Sequence, residues 1–118
     1  MKLLRAGIVV VLVSAALAGC SGTSNSAYVG TWGSSGAGKP SLTLTSDGKV
    51  SGNDGCNTLS GTWTEKNGRA EFGPFASTLK ACNGVDTWLS HATSALAQGS
   101  SMTVYNSGNT TIGTLDKQ

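Results

Sequence analysis

The chain has 118 residues, eight Lys+Arg, six Asp+Glu, one His and three Cys, a length that holds one domain around one core. Past Lys2 and Arg5, six cations (Lys39, Lys49, Lys66, Arg69, Lys80, Lys117) stand against six anions (Asp47, Asp54, Glu65, Glu71, Asp86, Asp116), scattered without runs. That neutral balance excludes the basic footprint on which nucleic-acid binding rests.

The first five residues carry two cations, and Ala6 to Ala18 carries no charge. An apolar stretch of this length suits the central region of a secretory signal and falls short of the ~20 residues of a membrane-spanning helix. It ends in Leu17-Ala18-Gly19-Cys20, followed by Ser21, an order that resembles the bacterial lipobox. The resemblance implies cleavage after Gly19 and a thioether-linked diacylglycerol on Cys20. Residues 1–19 are therefore expected to be a lipoprotein signal peptide, and 20–27 a lipidated cysteine with a flexible tether. The folded domain is expected over 28–118. Ser21 to Ala27 reads SGTSNSA, with no apolar residue larger than alanine, and extends at most about 23 Å from the anchor. The expected location is extracytoplasmic, on a membrane.

Short strand signals follow. Tyr28 to Trp32 is β-prone, Gly33 to Pro40 is a loop, and Ser41 to Thr45 alternates with Leu42 and Leu44 on one face. Asp47-Gly48 turns the chain into Lys49 to Ser51. Gly61 to Lys66, Asn67-Gly68 and Arg69 to Phe72 make the clearest hairpin. A two-residue turn there pairs Lys66 with Arg69, Glu65 with Ala70, Thr64 with Glu71 and Trp63 with Phe72, which places both aromatics on one face. From Asn83 to Gln98 the apolar residues Val85, Trp88, Leu89, Ala92 and Leu96 fall on one helical face, and the spacing predicts a helix capped by Asn83 or Asp86 and ended by Gly99. Met102 to Tyr105 and Thr110 to Leu115 read as a last hairpin. These elements predict an α+β, mainly β fold. It is a curved antiparallel sheet, or partly closed barrel, of six to seven short strands packed on one amphipathic helix.

Few residues invite chemistry. His91 is the single histidine and falls beside the predicted apolar stripe. Glu65 and Glu71 lie on opposite faces of their hairpin in the predicted register, which argues against paired acid–base work. Gly52-Asn53-Asp54-Gly55 lacks the spacings of a phosphate loop and reads as a turn. Trp32, Trp63 and Trp88 suit a core, with a ligand-cavity lining as the alternative. With Cys20 taken by lipid, Cys56 and Cys82 remain as a pair. A disulfide is the leading reading for them outside the cytosol, with free thiols or a metal site as alternatives. A bridge closing some 26 residues would contribute about 3.5 kcal/mol in the chain-entropy model. No catalytic, cofactor or metal residues are expected.

Gly52, Gly55-Cys56-Asn57, Gly61, Phe72-Gly73-Pro74, Ala76-Ser77-Thr78 and Ala81-Cys82 together resemble the motifs of the META domain, the HslJ-like family. The resemblance runs from about Tyr28 to Leu115. Two positions depart from the family pattern: Lys80 replaces the usual methionine and Trp63 the usual tyrosine. The resemblance implies a secreted or lipid-anchored, non-enzymatic domain associated with stress or drug tolerance. The expectation is an anchored binding or envelope-stress module, a monomer without cofactor. Its partners are the membrane, through Cys20, and an envelope protein or small apolar ligand. Two rivals are a lipocalin-like carrier, suggested by Gly30-Thr31-Trp32, and an anchored inhibitor of a secreted hydrolase. Closing an eight-stranded carrier barrel in about 99 residues while also spending a helix is difficult.

Overall fold

The computed structural model describes residues 26–118, so the predicted signal peptide, Cys20 and most of the tether lie outside the described residues. The strands are β1 (Gly30–Gly33), β2 (Pro40–Leu44), β3 (Lys49–Asp54), β4 (Thr58–Lys66), β5 (Arg69–Phe72), β6 (Ala76–Ser77), β7 (Ser94–Gln98), β8 (Ser101–Tyr105) and β9 (Thr111–Asp116). One 3-10 turn, Trp88–His91, stands between β6 and β7.

Eight strands form an antiparallel path in the order β1-β2-β3-β4-β5-β7-β8-β9, and β6 pairs off that path with β4. β4 pairs with β3 along one edge and is long enough to serve two partners along the other: Trp63 to Lys66 pair with β5, and Leu59 and Ser60 pair with β6. The sheet curls until its ends meet. Trp32 bridges Lys117, the Gln118 N–H donates to the Thr31 carbonyl at 3.0 Å, and the Gln118 side-chain amide reaches the Gly33 carbonyl at 2.6 Å. The result is a nearly closed barrel.

Alternation along the strands puts Trp32, Leu42, Leu44, Val50, Leu59, Trp63, Met102, Val104 and Leu115 inside, in one continuous core. An eight-stranded barrel is about wide enough for side chains to fill, and here they do. Polar ends of the aromatics find partners at the rim. Trp63 Nε1–H donates to the Thr45 carbonyl at 2.9 Å. Trp32 Nε1–H donates to the Tyr28 carbonyl at 3.0 Å, and the Tyr28 hydroxyl donates to the Gly68 carbonyl at 2.6 Å.

The β4–β5 hairpin has the predicted register, Trp63 to Phe72 through Lys66 to Arg69. Asn67 and Gly68 both take positive φ, 55° and 80°, the geometry of a turn whose twist matches the flanking strands. The last hairpin also stands where the sequence places it.

The predicted helix over Asn83–Gln98 does not form. Its first half supplies the 3-10 turn, which drives Leu89 into the core with none of its surface exposed, and lays Trp88 against Gly113, where even a Cβ would come within 2.5 Å of the ring. Its second half is β7, whose Ala95 sits between Ala70 of β5 and Val104 of β8. A helix there would leave the facing edges of β5 and β8 without backbone partners, and burying those edges unpaired costs more than helical periodicity returns. The apolar spacing at Val85, Trp88, Leu89 and Ala92 reflects a tight turn dipping into a barrel end. The fold is therefore mainly β, with one strand more than expected on the barrel path, the short β6 besides, and a 3-10 turn in place of the helix.

Candidate functional site

Motif residues converge at the tip of the β3–β4 hairpin. Gly55 takes φ +99°, a conformation glycine reaches without steric cost. Its neighbour Asp54 is 1% exposed, and its carboxylate accepts from the N–H groups of Cys56 at 2.9 Å and Asn57 at 2.6 Å. Asn53 Oδ1 accepts from the Gly55 N–H at 2.7 Å. The turn-rich stretch is thus a tight loop held by its own acidic and amide side chains, in the manner of Asx turns.

From this tip three connections reach the segment after β6. Cys56 and Cys82 form a disulfide with Cα atoms 5.9 Å apart; Cys56 is buried and Cys82 exposed. Asn57 Oδ1 accepts from the Lys80 N–H at 2.6 Å and from the Thr78 hydroxyl at 2.9 Å, while its Nδ2 donates to the Lys80 carbonyl at 3.3 Å. Thr78 closes the set. Its Oγ1 accepts from the Thr58 N–H at 3.0 Å, and its own N–H donates to the Thr58 carbonyl at 3.2 Å.

Asn57 and Thr78 belong to the family motif, yet their side-chain work was not legible in the sequence, where only the cysteines announced a crosslink. Spacing alone does not reveal which carboxamide faces which peptide group. The departures from the family pattern also gain a physical account. Lys80 is gripped by its backbone while its side chain is exposed, so the clamp does not depend on the residue type there. Trp63 fills the core and satisfies its N–H at Thr45.

The segment so held is exposed without interruption from Ala76 to Gly84. At its centre Leu79 is 95% exposed, the large apolar side chain that stands out among the described residues. The remaining sequence candidates lie elsewhere. His91 is exposed at the end of the 3-10 turn, beside a concavity of about 420 Å³ shared with Phe72, Pro74 and Phe75. Glu65 and Glu71 are both exposed, on strands paired so that the two residues fall on opposite faces. Trp32 and Trp63 are core, and Trp88 is half-buried against it. Among the described residues no group of three or more His, Cys, Asp or Glu is placed to hold a metal ion. Among the described residues, a clear electrostatic perturbation lies in the turn between β2 and β3. The Thr45 hydroxyl donates to the Asp47 carboxylate and, with Lys49 nearby, holds its pKa below the ordinary value.

The family model of the META domain matches residues 16–117. No curated protein and no solved structure matches the chain. Because the matched span takes in the hairpin tip, the clamped segment, the disulfide and all nine strands, the chain belongs to the META domain family.

Proposed function

We propose that the protein is a membrane-anchored extracytoplasmic lipoprotein whose META domain serves as a non-catalytic binding module of the cell envelope. The observation that carries this reading is the Cys56–Cys82 bond with its exposed Cys82. A disulfide open to solvent on one side persists where thiol reductants are scarce, outside the cytosol. The charge–apolar–Leu17-Ala18-Gly19-Cys20 order supports export by the same route and supplies the anchor. Binding rather than turnover is supported by Glu65 and Glu71 falling on opposite faces of their hairpin, since paired acid–base work needs its carboxyl groups to converge on one point.

The carrier alternative fares worse. Its premise is an interior with room for a ligand, and the core is filled by fully buried side chains, among them Trp32, Leu42, Leu59, Leu89 and Met102. The module therefore works through its outer surface.

Metabolic fatty-acid labelling tests the anchor. The wild-type protein is expected to take up label and to fractionate with membranes, and Cys20→Ser to lose both properties. Label that survives this substitution would remove the lipoprotein reading.

A further inference from the structure

The segment Ser77–Ala81 has a backbone divided between two sides. Thr78 turns its N–H, and Lys80 both its N–H and its carbonyl, to the barrel, where the Thr58 carbonyl and the Asn57 carboxamide bind them. Leu79 lies between them, and its N–H and C=O have no hydrogen-bond partner among the described residues. In an extended chain alternate residues present their peptide groups to opposite sides, and this stretch runs from β6 to the Asn83–Gly84 turn without a bend. Leu79 thus offers a free donor, a free acceptor and a large aliphatic side chain on one outward edge. An edge of this kind accepts another chain by strand addition, with backbone bonds giving affinity and a side-chain pocket giving specificity.

The attachment on both sides of Leu79 narrows the partner. The chain before the Leu79–Lys80 peptide is fixed by β6 and by Thr78 on Thr58 and Asn57. The chain after it is fixed by Asn57 on Lys80 and by the Cys82–Cys56 bond. All of these attachments lead back to the same hairpin. Cutting that peptide would release neither end, and binding to it costs little ordering entropy. A peptide so presented suits occupation of a peptidase cleft without productive turnover.

The geometry points to Ser77–Ala81 as an inhibitory loop for a secreted serine endopeptidase, with Leu79 in a primary specificity pocket that takes large aliphatic side chains. This inference rests on the reading of the protein as a non-catalytic binding module and names that module's partner and contact residue. Association without net reaction suffices.

The test titrates the purified protein against a subtilisin-type endopeptidase, which accepts apolar side chains, and a trypsin-type one, which requires a cation. Inhibition of the first at one-to-one stoichiometry and little effect on the second are expected. Leu79→Asp should weaken inhibition by about 100-fold, on the scale of a central anchor residue, and Leu79→Lys should move it to the trypsin-type enzyme. Both variants should melt with the wild type, because the side chain touches little. The clamp has its own readout: Asn57→Ala should turn the loop toward a substrate, cut between Leu79 and Lys80 and resolved into two pieces after reduction. Folded wild-type protein that inhibits neither enzyme, or inhibition unchanged in Leu79→Asp, would overturn the assignment. So would Leu79-dependent binding to phosphatidylglycerol vesicles without inhibition, which would give the leucine to the membrane. Failure here is separable from failure of the underlying reading: a labelled, membrane-bound protein that inhibits nothing loses only this partner, whereas turnover by the protein itself removes the binding module.

Discussion

The carboxamide of Asn57 meets both the N–H and the carbonyl of Lys80, so that one side chain takes the place of a strand in holding an extended segment. The residue is largely buried, and buried polar atoms need partners; here the partners are the segment itself and the Thr78 hydroxyl. Asn57→Ala removes these bonds and exposes the Lys80 peptide to water, which softens the loss. The expected cost is about 1–3 kcal/mol, read as a fall in melting temperature of about 4–8 °C per kcal/mol. Asn57→Asp keeps the acceptor but sets an oxygen against the Lys80 carbonyl, and should fall between alanine and wild type. An unchanged melt in the alanine variant would show that the clamp does not contribute.

Among the elements, the hairpin tip and the exposed segment depend on each other through the disulfide. The crosslink spans 26 residues of sequence and ties a stretch with few large apolar side chains of its own. It is expected to stabilise by about 2–4 kcal/mol, so reduction should lower the melting temperature by about 10 °C or more. Cys56→Ser and Cys82→Ser should each match the double variant, because either change removes the same bond. Two titratable thiols in the non-reduced protein, besides Cys20, would contradict the structure. The 3-10 turn and β7 make a contrasting case. Neither is stable alone; the turn is fixed by Leu89 in the core and β7 by its neighbours on both sides.

The described residues as a whole form a barrel whose interior is spent on its own stability. Trp32 and Met102 are fully buried, and Tyr28 closes one rim by donating to Gly68 while accepting from the Ala97 N–H at 3.2 Å. Native mass spectrometry of the purified protein is expected to show no bound small molecule beyond the lipid proposed for Cys20. A co-purified apolar ligand in stoichiometric amount would require the core to open and would restore the carrier reading.

Short-range physics makes several features of this protein readable in its amino-acid order alone. The Asn67-Gly68 turn carries its own register, since two residues of positive φ between alternating strands leave one pairing. The Cys56/Cys82 pair is legible because few alternatives compete for two cysteines once Cys20 is read as part of a lipobox, and the META motifs because glycines, cysteines and an asparagine recur in order. Tertiary structure decides the rest. Val85 to Leu96 carries a helical period, but the unpaired edges of β5 and β8 demand a strand. Whether Asn57 faces Lys80, and whether Leu79 faces water, depends on how two distant segments are brought together. A hydrophobic period reports which residues want burial; the hydrogen bonds that must be closed around them settle which backbone does the burying.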